Sequence, residues 1–113
     1  MNARLVIAAA LSLTAITAVR ARAQAADAQS LYNDNCRKCH GVKGTPPKTM
    51  KEKFPKIATF DAAFVASHSA DSIVKILTKG KNEDMKSFKD KLTSAQMADV
   101  AAYVRELSAK KAP

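Results

Sequence analysis

Hydrophobic and polar positions alternate along the chain at helical spacing in some stretches and lose all rhythm in others. From Asp27 to about Cys36 an acidic cap candidate is followed by Leu31 and Tyr32 on one apolar edge, which predicts a helix. Gly41 to Ile57 has no period; Gly44, Pro46, Pro47 and Pro55 interrupt it and five lysines keep it solvated, so it reads as a loop. Phe60 and Phe64 stand four apart and open a short helix reaching Ala66. A further helix starts at Ser69 or Asp71, carries Ile73, Ile76 and Leu77 on one stripe, and stops at Gly80 with Lys75 and Lys79 near its negative end. Asn82 to Lys91 is polar and irregular around Met85 and Phe88. Thr93-Ser94-Ala95-Gln96 is a capping box, and Met97, Val100, Ala101, Val104 and Leu107 follow it at helical intervals. No stretch alternates as a strand would and no repeat is visible, so the class is all-α.

The first residues follow a different pattern. A positive start ending at Arg4 leads into an uncharged, largely apolar run from Leu5 to Val19, closed by Arg20 and Arg22. Small residues at Ala21, Ala23 and Ala25 then offer an A-x-A cleavage site, the pattern of a secretory signal. A retained membrane anchor is the alternative, but the run falls short of the ~20 apolar residues a spanning helix needs. Residues 1–25 are therefore expected to be a signal peptide and 26–113 the folded domain, exported to the periplasm. Removing 25 of the 113 residues leaves 88, and losing three arginines takes the net charge from +9 to +6. A domain of that size has a thin core and profits from a staple. The length also excludes a dinucleotide-binding domain, a kinase or a multidomain enzyme.

The two cysteines are the place to look for that staple. Cys36-Arg37-Lys38-Cys39-His40 is C-x-x-C-H. Thiols at i and i+3 of one turn can reach the two vinyl groups on one porphyrin edge, and the next residue then brings an imidazole beneath the ring; this is the haem c attachment pattern. Zinc would need two further ligands, whereas the chain has one other histidine, His68, and no third cysteine. A thioredoxin-like dithiol would follow a strand in a βαβ unit, and here a helix precedes it.

Haem iron has a second axial position, open for a small molecule or closed by a protein ligand for electron transfer. The candidates are Met50, Met85, Met97 and His68. Met97 lies on the apolar stripe of the last helix and is better explained as core. Met50 follows two prolines in the lysine-rich loop, and His68 sits in a Ser-His-Ser stretch typical of a solvated histidine. The residues favour Met85, free in its irregular segment to aim a thioether at a metal.

Taken together, these segments resemble a small bacterial class I cytochrome c over nearly all of the expected mature chain. Leu31-Tyr32 before Cys36 resembles the family's N-terminal helix, and Cys36 to Gly41 its haem-binding turn. Residues 85–93 resemble the methionine-ligand loop, and Asp99 to Arg105 the C-terminal helix that crosses the first. The resemblance implies three to five helices wrapped around one covalent haem c, with Cys36 and Cys39 as thioethers and His40 and Met85 as axial iron ligands. It implies burial of the haem among Leu31, Phe54, Phe60, Ile73, Leu77 and the last helix. It also implies single-electron transfer between redox proteins and not catalysis; the weighed alternative is a haem-based sensor or enzymatic domain with an open sixth site. Lys86 departs from the proline that often follows the ligand methionine. Pro46 and Pro47 both qualify as the loop proline near which a carbonyl would accept the His40 ring N–H.

Charge points to partners. Lys79, Lys81, Lys86, Lys89 and Lys91 flank Met85, and Lys43 and Lys48 follow His40. A positive ring around the haem edge would steer acidic redox partners and orient them. Transient association with an anionic membrane surface fits the same charge. Nucleic acid is a poor partner for an exported protein, and a monomer is the expected state.

Overall fold

The structure, a computed structural model, describes residues 24–25 and 27–110. The expected signal peptide therefore lies outside the described residues except for Gln24 and Ala25, which are helical and exposed. Helices are α1 (residues 27–35), α2 (Arg37–His40), α3 (Lys48–Lys53), α4 (Ala62–Ser67), α5 (Ala70–Lys79) and α6 (Ser94–Ala109). Among the described residues there is no strand, and no helix is long and apolar enough to cross a membrane.

The caps set the helix boundaries. Thr93 and Gln96 form both limbs of the capping box, Thr93 N–H donating to Gln96 Oε1 at 2.9 Å and Gln96 N–H to Thr93 Oγ1 at 3.1 Å. Ser69 caps α5 by accepting from Ser72 N–H at 3.1 Å, which places Asp71 in the first turn, favourable to the helix dipole. Asp61 caps α4 through Phe64 N–H at 2.9 Å. That carboxylate starts the helix after Phe60, so Phe60 belongs to the preceding extended stretch and not to the helix expected from its spacing with Phe64. Gly80, at φ 75°, ends α5.

One stretch read as loop contains a helix. Pro47 is the N-cap of α3, with ψ 154°, and needs no N–H there. The helix is hard to see in sequence because Met50 is its only half-buried hydrophobic side chain and the Lys48–Glu52 pair, 3.8 Å apart, is fully on the surface.

The core is built on α6. Its Met97, Val100, Ala101 and Val104 are buried with Tyr32 of α1, Ile73 and Leu77 of α5, Phe60 and Leu92. Tyr32 is wholly buried, tilted against Tyr103 at 5.3 Å and edge-on to Phe60 at 6.4 Å. Both α4 and α5 pack against α6. The buried hydroxyl of Ser108 donates to Val104 O at 2.8 Å, so burial leaves it satisfied.

Candidate haem-attachment site

The chain turns sharply where α1 ends. Cys36 N–H still donates to Tyr32 O at 2.8 Å, and Cys36 O then accepts from Cys39 N–H at 3.2 Å and His40 N–H at 3.0 Å. That single turn, α2, gathers both thiols and the imidazole on neighbouring positions. Both cysteines are free and half-buried, and Cys36 packs against the core. Burial, with a smaller contribution from Cys39, pushes the Cys36 thiol up to about 11, so it stays protonated at neutral pH.

Beyond the turn, two glycines allow the backbone to fold back. Gly41 has φ 82°, and the Thr45 carbonyl occupies the space a Cβ would need. Its own carbonyl accepts from Gly44 N–H at 3.2 Å and from the buried Tyr32 hydroxyl at 2.7 Å. Gly44, at φ 77°, lies against Phe60, whose Cβ would be 2.8 Å from an added methyl. Gly44 O accepts from Phe60 N–H at 2.8 Å. This pairing draws residues 58–60 alongside the glycine turn.

The consequence is a correction. His40 Nδ1 lies 3.3 Å from the carbonyl of Ala58, not from one beside Pro46 or Pro47. Pro46 is buried and Pro47 caps α3; neither neighbourhood supplies the acceptor. With Nδ1 donating to Ala58, the proton is off Nε2, which keeps its lone pair for a metal. Phe60 stacks on the imidazole at 4.7 Å and 16°. Burial lowers the His40 pKa below the ordinary histidine value, the Ala58 hydrogen bond works against that, and the charge of Lys81 adds to the lowering.

Lys81 opens the Met85 segment, which is ordered by its own polar groups. Asn82 Oδ1 accepts from Asp84 N–H at 3.0 Å and Met85 N–H at 2.9 Å, and Met85 O accepts from Lys81 N–H at 2.8 Å. Ser87 Oγ donates to Thr78 O at 2.6 Å and Phe88 N–H to Leu77 O at 2.8 Å. Met85 is half-buried and packs, like Cys36 and Ala58, against the same core cluster.

The other sulfur and imidazole candidates lie on other elements. Met97 is buried, with Sδ accepting from the Thr78 hydroxyl at 3.7 Å. Met50 sits in α3. His68 caps the C-terminus of α4, its Nδ1 2.9 Å from Ser67 Oγ and 3.1 Å from Phe64 O, its ring stacked on Phe64 at 4.1 Å. Sequence reasoning missed Ala58, Asn82 and the Tyr32 hydroxyl. An Asn three residues before a methionine was a readable turn signal; nothing local marks Ala58.

The donor set fits a covalently held porphyrin. Two free thiols lie on one turn, and the adjacent imidazole has one nitrogen fixed and the other free. Among the described residues no three His, Cys, Asp or Glu side chains converge on a bare metal ion.

Comparison with known proteins gives the same answer. Residues 23–104 match the family model described as cytochrome C oxidase, cbb3-type, subunit III. Cytochrome c6 of Thermosynechococcus vestitus is 32% identical over 101 residues, covering 87% of this chain and 83% of the relative. Cytochrome c6 of a Nostoc species is 34% identical over 82 residues, covering 73% and 69%. The solved structure of the KustC0563 c-type cytochrome superposes with a TM-score of 0.63 at 31% identity, covering 71% of this chain and 95% of that one. Sequence, fold and relatives agree: the chain belongs to the class I cytochromes c, electron carriers whose haem c is covalently bound.

Proposed function

We propose that this protein is a periplasmic monohaem carrier that shuttles single electrons between redox proteins, with residues 1–25 removed on export. Cys36 and Cys39 would hold the haem as thioethers, and His40 and Met85 would bind its iron. When bound, the haem supplies an iron that gains and loses one electron. Each residue has a distinct part in making that exchange fast. The thioethers fix the group to α2. Ala58 orients His40 through Nδ1, and Asn82 shapes the turn that presents Met85. An imidazole and a thioether are both neutral, and the thioether favours the ferrous state, which raises the potential. Tyr32, Phe60, Ile73, Leu77 and α6 keep water from the site.

The observation that carries this reading is His40 itself, tethered at Nδ1 and free at Nε2 on the same turn as both thiols. Lys43, Lys48, Lys79, Lys81, Lys86, Lys89 and Lys91 are all exposed, which supports acidic docking surfaces on the partners and transient contact with anionic membranes. The protein acts as a monomer. The test is expression in a host able to attach haem, followed by intact mass and a spectrum. A product carrying the mass of one haem on the Cys36–Cys39 peptide, starting at Ala26, is expected. A colourless product of unmodified mass overturns the reading.

A further inference from the structure

Four aromatic rings run in series from the proposed iron ligand to the surface. His40 stacks on Phe60 at 4.7 Å, Phe60 meets Phe64 at 4.9 Å, and Phe64 stacks on His68 at 4.1 Å. The outer half of the series is clamped. Asp61 holds the start of α4, and Arg105 of α6 donates to the carbonyls of Val65 (3.0 Å) and His68, capping its end. The surface where the series emerges differs in charge from the rest of the protein. Between Lys56 and Lys75 the chain has no lysine or arginine, and α4 exposes Ala62, Ala63, Ala66 and Ser67.

We propose that the His40–Phe60–Phe64–His68 series is a second electron port, through which two copies of this chain exchange an electron across their α4 faces. The occupant follows from charge. Two copies approaching by their lysine-rich faces repel, whereas the α4 faces present small uncharged side chains that can meet around a two-fold axis. The encounter is brief and small, as is usual between redox proteins. One reduced copy loses an electron and one oxidised copy gains it; no bond or proton changes place. Closely spaced rings favour such a crossing because electronic coupling decays less through touching groups than across gaps. The proposal rests on His40 being an axial ligand, and the spectrum of the unaltered holoprotein settles that point separately.

Two measurements on the holoprotein test it. In the reduced, diamagnetic form, ring-proton NMR cross-peaks are expected for His40–Phe60, Phe60–Phe64 and Phe64–His68; absence of any link overturns the port. In mixtures of oxidised and reduced protein, NMR line broadening reads the self-exchange rate. Phe64→Leu is expected to slow it severalfold with spectrum and potential unchanged. Ala66→Glu, at an exposed position that leaves the fold intact, is expected to slow it through like charges facing each other. Lys86→Gln, on the other face, is expected not to slow it. Self-exchange unaffected by Ala66→Glu, or slowed equally by Lys86→Gln, overturns the proposal.

Discussion

His40 and Ala58 stand eighteen positions apart in sequence, yet the imidazole Nδ1 lies 3.3 Å from the Ala58 carbonyl. The contact depends on Gly44, whose carbonyl holds Phe60 N–H and whose missing side chain leaves room for the Phe60 ring. Gly44→Ala should therefore act on histidine orientation from a distance. A methyl there meets Phe60 and sits at a positive φ, costing about 1–3 kcal/mol. Denaturant unfolding of the holoprotein checks the loss of stability, and voltammetry should register a shifted potential as His40 loses its fixed acceptor.

Tyr32 offers a cleaner substitution. Tyr32→Phe keeps the ring contacts with Phe60 and Tyr103 but removes the buried hydrogen bond to Gly41 O, leaving that carbonyl with the Gly44 N–H alone. The expected cost is about 0.5–1.5 kcal/mol, read from the midpoint of chemical denaturation.

The same residue predicts a pH dependence. Burial raises the Tyr32 phenol above its ordinary value of 10.0, with Cys36 and then Tyr103 adding to the shift. Above pH 10 the unfolded chain releases this proton while the folded chain keeps it, so stability is full below pH 10 and declines as pH rises beyond it. Unfolding curves between pH 9 and about 11.5 should show that decline. In Tyr32→Phe this contribution to the slope should be absent.

Met85→Ala should abolish the low-spin, methionine-ligated spectrum, lower the potential and let carbon monoxide bind the reduced protein rapidly at neutral pH. An unchanged spectrum would move the assignment to another ligand. Asn82→Ala should have a milder effect of the same kind, since it loosens the turn and leaves the sulfur in place.

Exchange with an acidic redox protein should slow as salt rises, because steering between exposed charges is screened over about 8 Å at physiological ionic strength. Lys86→Glu combined with Lys89→Glu should reduce both the rate and its salt sensitivity. Stopped-flow mixing across ionic strength measures both.

Much of this site was legible because it is local. Cys36, Cys39 and His40 fall on one turn, so their spacing alone announces the chemistry, and Ser69, Thr93 and Gln96 mark helix starts through hydrogen bonds spanning three residues. The class, all-α, followed from the same signals. What escaped was long-range or weakly patterned. Ala58 matters only through its carbonyl, which no side chain advertises, and its position depends on a backbone pairing between Gly44 and Phe60. The helix α3 carries one half-buried methionine among charges and offers almost no stripe to read. Phe60 and Phe64 have helical spacing, yet Asp61 between them begins the helix, so a periodicity was present across a boundary.

The segment carrying Met85 is stitched back to the last turn of α5 by Ser87 and Phe88, with Gly80 packed beneath it. Little backbone freedom is left for the segment to surrender when Met85 engages a metal, because most of its ordering entropy is already spent in folding. A loop so preorganised should rebind quickly after thermal detachment, and the lifetime of the detached form would be set by side-chain rotation instead of backbone refolding.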